Sequence, residues 1–406
     1  MNLLDVSTNF IDFAVEKIGA TNLNWIGKII SWLIEGVGII GLGIILFTLI
    51  LKTVVLPLDV YSRFKMKKQS LVMEKMRPQM EKLQKQYAND KGMYSQKVME
   101  LQKANGYSLF GACLPMIVSL VIFIIVFNAF STYSQYANLG TYNNMVESYN
   151  QSVQTFVLND DNANGFLIEE TDISLGEKAY KVDFSAFKAY YNADNNTDVK
   201  LNDTFEEKSE AEKMATVRDY VRANAREAAA VYYRENKTTF IWVKNIWYPD
   251  SMFNKELPSF SKFSSSISRA IGSGVDASYE DSYNEVTYNL TANKKAYNGY
   301  FVLIALAIGL MFLQQFISMR SQKAASELGT VDGSGARTNK WMMIMMPVIY
   351  GIFSFMYSAA FSVYMITSSA YGLITMLIVN KVVDVTFEKK GITAETIVNK
   401  KRKRLK

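Results

Sequence analysis

The chain has 406 residues, 49% hydrophobic and 20% charged, with a formal net charge of +6, no histidine and one cysteine, Cys113. Without histidine there is no Ser-His-Asp triad, histidine zinc ligand or imidazole acid–base pair, and a lone cysteine excludes internal disulfide staples. A mean hydropathy near zero averages two kinds of text, uncharged apolar runs and the polar or basic stretches between them.

Residues 1–35 lack a basic stretch followed by a short apolar core, so no cleavable signal peptide is expected. Within them "NWIGKIISWLI", 24–34, reads as an amphipathic helix in the membrane interface, anchored by Trp25 and Trp32. Uncharged apolar runs follow at 36–51, 109–130, 300–319 and 341–380. A span needs about 20 residues, so the last run must fold back as two. Five spans are expected, at 36–58, 109–131, 299–319, 341–358 and 359–380. The first contains "FTLILKTVVLPL", 47–58, in which Lys52 is the single charge. A lysine there costs several kcal/mol, roughly 2.5–3.5 on insertion scales.

Between the first two spans, 59–108 reads as an antiparallel helical hairpin, turning at "NDKG", 89–92, and rich in methionine. Pro78 is expected to kink its first arm or to begin a new helix. Residues 132–298, rich in Asn, Asp and Tyr over 132–239 and in Ser, Asn and Tyr over 251–298, are expected to be α-rich or α+β. A helix starts near Thr204 with Thr204 and Glu207 at capping-box spacing, its apolar face being Met214, Val217, Val221, Ala225, Ala228 and Val231. In "FIWVKNIWYPD", 240–250, Trp242, Trp247 and Tyr248 fit an interfacial belt, and 251–298 are poorly patterned.

The charge is unevenly divided. Lys and Arg outnumber Asp and Glu by 11 to 5 in 57–109, by 4 to 2 in 320–340 and by 9 to 3 from Lys381 onward, whereas 132–297 have 17 against 24. The positive-inside rule puts the three basic segments in the cytoplasm, and so the N-terminus and the acidic stretch outside. In the tail 381–406, Lys400, Lys401, Arg402, Lys403, Arg404 and Lys406 suit either anionic lipid or ribosomal RNA.

Six pieces resemble, in order, the YidC-type membrane protein insertases. "IILFTLILKTVVLPL" is similar to their first core span, with a basic residue five positions before Pro-Leu. "MRPQMEKLQKQYAND" resembles their hairpin, and "YSLFGACLPMIVSLVIF" their second span, with Gly-x-Cys-Leu-Pro. "FIWVKNIWYPD" resembles their external Phe-x-Trp segment, "MFLQQ" the end of the third span and "KWMMIMMPVIYGIF" the fourth. The resemblance covers about 1–131, 240–250 and 299–385.

It implies an all-α membrane protein of five helices around a hydrophilic groove, open to the cytoplasm and to lipid and closed toward the outside. A nascent protein's polar tail enters that groove while its apolar segment slides into lipid. Lys52 stands at the family's characteristic groove position. The resemblance further implies no enzymatic activity and no cofactor. Its expected partners are nascent membrane proteins and lipid but no DNA, the chain acting either alone or with the Sec translocon and ribosome. It places the chain in a bacterial plasma membrane.

This chain departs from the pattern at Lys52, where relatives have Arg, at Ser119 for Gln and at Met365 for Trp. It also carries large insertions at 132–239 and 251–298. Groove lining would come from Thr48, Ser119, Gln314, Gln315, Thr367, Ser368 and Ser369, each of which is equally able to bond a helix carbonyl. Lys52 either points into the groove or snorkels to the inner headgroups. A secondary transporter binding an anionic solute at Lys52 is the competing reading, opposed by the absence of inverted repeats and of broken paired spans.

Overall fold

The computed structural model describes the backbone at 10–13, 15–20, 23, 25–105, 109–171, 178–194, 200–201, 204–253, 255–272, 274–291, 297–321, 335–393 and 395–397. It does not describe the side chains at 10, 26, 91, 109–120, 171, 178, 269, 319–321, 335–340, 342, 343, 346 and 350. The chain forms two compact units. One comprises Met1–Leu23, Ser134–Thr238 and Phe253–Tyr297, and the other Asn24–Tyr133, Thr239–Met252 and Asn298–Lys406.

The second unit is helical. Its elements are α1 (Trp25–Glu35), α2 (Ile40–Gln86), α3 (Lys91–Asn105) and the first part of α4 (Leu109–Gln154). Further along come α10 (Val302–Ser321), α11 (Gly335–Met356) and α12 (Ala359–Lys389). Ile40–Gln86 and Ala359–Lys389 are each long and apolar enough to cross a membrane. Leu42, Leu46, Ile50 and Val54 on α2, Val121, Ile124 and Ile125 on α4, and Ile374, Leu377, Ile378 and Val382 on α12 are all exposed. Apolar side chains in such numbers are costly against water and suit hydrocarbon.

Helix α1 buries Ile30 and Ile34 and leaves Trp25 and Trp32 at 72% and 75% exposure, so one apolar face meets α2 while the indoles face outward. The contact is close, because a Cβ on Gly43 would lie 2.7 Å from both the Cα and the carbonyl oxygen of Ile34. A side chain there must push backbone from backbone. Gly43→Ala is expected to lose about 1–3 kcal/mol of stability. Gly140→Ala, where a Cβ meets nothing within 4 Å, should be neutral or stabilising by up to about 1 kcal/mol. Thermal unfolding in detergent compares the two.

Pro78 lies inside α2 and does not begin a new helix. Helix α3 folds back along the end of α2, burying Val72, Met73, Met76, Met80, Tyr94 and Val98, while Met93 and Met99 are exposed. Beyond the apolar run, α12 continues to Lys389 beside the first hairpin arm. Phe64 and Phe387 lie 6.0 Å apart, Arg63 Nη1 donates to Asn380 Oδ1 (3.2 Å), and Lys67 pairs with Asp384 (2.6 Å). A Schellman turn then ends α12. Gly391 takes φ +56°, its N–H bonds the Glu388 carbonyl and the Ile392 N–H bonds that of Phe387. The reversal brings Ile397 into the hairpin's apolar cluster and packs Ile392 at its edge.

The first unit has its own core. Strands β1 (Phe10–Ile11), β2 (Leu167–Thr171) and β3 (Lys178–Val182) form an antiparallel sheet in the order β1-β3-β2, with Ile11 opposite Tyr180 and Leu167 opposite Val182. The helices are the end of α4, α5 (Phe184–Ala193), α6 (Thr204–Glu207), α7 (Glu210–Asn236), α8 (Phe260–Ile271) and α9 (Tyr279–Thr291). The long-helix capping box is Ser209 with Glu212, not Thr204 with Glu207, which lie in the separate short α6. The buried face of α7 continues from Ala225 to Ala229, Ala230 and Tyr233, leaving Val231 exposed, because steps of four keep it on α9. Residues 251–298 also hold a pattern, since α8 buries Phe260, Phe263, Ile267 and Ala270. Its Ser264, Ser265, Ser266 and Ser268 hydroxyls bond back to carbonyls three residues earlier.

Glu285 of α9 joins three helices. It accepts from Arg226 Nε (2.9 Å) and Nη2 (2.6 Å) of α7 and from the Tyr149 hydroxyl (3.0 Å) of α4. Burial, with the Glu285 charge adjacent, raises the Tyr149 phenol above its ordinary range, so it remains a donor.

Candidate functional site

Helix α12 packs against both α2 and α10, and polar side chains gather where it does. The Thr53 hydroxyl of α2 lies 3.3 Å from the Tyr371 hydroxyl of α12. A Cβ on the next residue, Gly372, would sit 2.6 Å from Nε2 of Gln314 on α10. Gln314 and the residue following Lys52 thus lie against consecutive positions of α12. Lys52 is partly buried, as are Gln314, Gln315, Thr367 and Ser368.

Other candidates are differently engaged. Thr48 is fully buried, its hydroxyl donating to the Ile44 carbonyl (2.7 Å), and Thr367 donates to the Val363 carbonyl (2.9 Å). Such back-bonds satisfy a hydroxyl within its own helix. Ser369 is buried. The Ser119 side chain and Lys400, Lys401, Arg402, Lys403, Arg404 and Lys406 lie outside the described residues.

The nearest charges to Lys52 on its own helix are Asp59, with which it interacts through space, and Arg63 beyond it, which interacts with Asp59 in turn. The alternating signs run along one stripe of α2. Isolated charges in an apolar surround are expensive, and opposite neighbours reduce that cost.

Toward the N-terminal ends of α2 and α12 the polar residues give way to rings. Phe127 of α4 meets Phe353 (5.4 Å), Tyr357 (4.4 Å) and Phe361 (5.2 Å). Phe130 meets Phe47 (5.4 Å) and Tyr364 (5.5 Å). Mostly edge-to-face packing of this kind, with Phe130 and Tyr364 tilted at 38°, fills space and excludes water.

Above that layer, residues 239–252 form a plug whose stretch 243–251 is largely buried, with Ile241 and Met252 exposed. Both oxygens of fully buried Asp250 accept backbone N–H groups at the start of α10, from Tyr300 (2.7 Å) and Leu303 (2.7 Å). The Tyr248 and Ile246 carbonyls accept from Ala359 and Ala360 at the start of α12, each at 2.9 Å. Asn298, also fully buried, donates to the Asn245, Tyr248 and Pro249 carbonyls and accepts from the Asn245 N–H (2.8 Å). One segment thereby satisfies the otherwise orphaned donors of two helices. Trp247 and Tyr248 are buried here, Trp247 against Tyr133 at 5.2 Å, and so do not form the interfacial belt their residue types suggest. Phe240 of the same segment lies over Gly41, where a Cβ would overlap its ring.

Sequence reasoning missed this plug, Thr53 with Tyr371, and Asp59. "DSMFN" following a tyrosine-proline gives no sign that Asp250 will cap a helix beginning at Val302.

Residues 32–161 and 228–386 match the family model described as 60Kd inner membrane protein. Three curated relatives share the name Membrane protein insertase YidC. That of Leptospira interrogans serovar Lai is 40% identical over 80 residues, 20% of this chain and 12% of the relative. That of Fusobacterium nucleatum is 38% identical over 91 residues, 22% and 42%. That of Caldanaerobacter subterraneus is 30% identical over 118 residues, 29% and 55%. The matched stretches thus span from about an eighth to about half of these relatives' own length.

Proposed function

Because the chain belongs to the 60Kd inner membrane protein family, we propose that it is a membrane protein insertase that places nascent membrane proteins in the lipid bilayer and helps them fold. The observation that carries this reading is Lys52, a single cation in the apolar run of α2, beside the polar contacts of α2 and α10 with α12. In this reading the five spans surround a groove. The aromatic layer and the 239–252 plug support its closure toward the outside, and the hairpin α2–α3 stands in the cytoplasm with the C-terminus.

The driving force is burial of the substrate's apolar segment, about 0.8 kcal/mol per CH₂. Polar lining lowers the barrier by shortening the path on which the tail's polar groups are without partners. Lys52 supplies a positive charge in low dielectric that attracts acidic tail residues. The work needs no cofactor and no covalent step. Nascent membrane proteins and lipid are the partners, with the ribosome or Sec translocon supplying substrate.

The test is protease protection of a single-span protein with an acidic N-tail, offered to vesicles containing the purified chain. Protection well above that of protein-free vesicles is expected. Equal protection, with the chain shown to be folded, would sink the insertase reading and favour solute transport.

A further inference from the structure

Lys52, Asp59 and Arg63 stand at positions i, i+7 and i+11 of one uninterrupted helix, within about 20° of a common face at 100° per residue. All three are partly buried. Arg63 is held across to α12 by its bond to Asn380, and its Nε is buried with no hydrogen-bond partner. The next cation, Lys67, is committed to Asp384. Asp59 sits between Lys52 and Arg63, feels both, and has no hydrogen-bond donor among the described residues. An acidic group set between two cations, and hydrogen-bonded to neither, is an anion available for exchange. A carboxylate arriving on a substrate tail meets Lys52 already in the field of Asp59, and a lysine or arginine on that tail meets an anion.

We propose that Asp59 is a specificity-determining residue of the insertion site, an internal anion that competes with acidic tail residues for Lys52 and receives basic ones. The inference rests on the insertase reading. It makes wild type less selective for acidic tails than Lys52 alone would be.

The experiment uses full-length chain in vesicles and three test proteins differing only in two tail residues: acidic, neutral or basic. The readout is the ratio of acidic-tail to basic-tail insertion. Asp59→Asn is expected to raise that ratio on the order of tenfold, the effect of one unit charge about 10 Å away in an effective dielectric near 20. Asp59→Glu is expected to restore the wild-type ratio. A purely structural role would lower all three tails together and leave the ratio unchanged. An unchanged ratio in Asp59→Asn, or Asp59→Glu behaving like Asp59→Asn, overturns the proposal while leaving the insertase reading intact. Failure of wild type to insert any tail above protein-free vesicles overturns both.

Discussion

Lys52→Leu is expected to reduce insertion of an acidic-tailed protein to the level of protein-free vesicles, while Lys52→Arg keeps most of it. The sign follows from desolvation. A carboxylate leaving water loses hydration, and an opposite charge at 4 Å returns about 4 kcal/mol at an effective dielectric of 20. Water in a hydrophilic site screens part of this, so a loss of at least about tenfold remains, or about 1.4 kcal/mol. Arginine keeps the charge and adds a bidentate fork. Leucine removes a cation from an apolar run, so the Leu variant should unfold no more readily than wild type, separating loss of function from loss of fold. Equal insertion by all three proteins would make Lys52 a snorkelling anchor.

The largest loss of stability is expected in the plug. Asn298→Ala strands the buried Asn245 N–H and removes the donor of three carbonyls. Asp250→Ala strands the N–H groups of Tyr300 and Leu303. Each should cost about 2–4 kcal/mol, given about 1–3 for a stranded buried group and more where the partner is charged. Asp250→Asn, which retains one acceptor oxygen, should fall between wild type and Ala. The double variant should lose less than the sum, since both residues hold the same segment. Thermal unfolding in detergent measures all four. The same network maintains Phe301 at φ 65°, a conformation a bulky side chain rarely adopts. Its release partly offsets the loss, and melting unchanged from wild type would show that the plug does not hold the helix ends together.

What was legible in the sequence is periodic or punctuated. The 24–34 stretch carries its amphipathic pattern locally, and α1 forms there. The uncharged run 341–380 is too long for one span, and the chain breaks at 357–358 between α11 and α12. What was illegible depends on partners far along the chain. Asp250 and Leu303 are 53 residues apart. Ile11 pairs with Tyr180 only because two distant segments meet in one sheet. Within α7 the error was one of phase, since alanines occupy several adjacent positions and only packing decides which are inside. Lys52 was conspicuous as a charge among apolar residues. Asp59 was not, because a carboxylate beside a basic hairpin looks like solvated surface until the helix is seen to run unbroken through Pro57.

The turn at Gly391 has a consequence for reach. Because the chain reverses there and Ile397 is seated in the hairpin cluster, the basic residues from Lys400 to Lys406 begin from a fixed mooring. Nine residues cannot extend beyond about 32 Å. Any phosphate those charges hold, on RNA or on lipid, is therefore kept on a short tether to the hairpin, at an effective concentration set by its length. Lengthening the tether by a few glycines would dilute that encounter without altering a single charge.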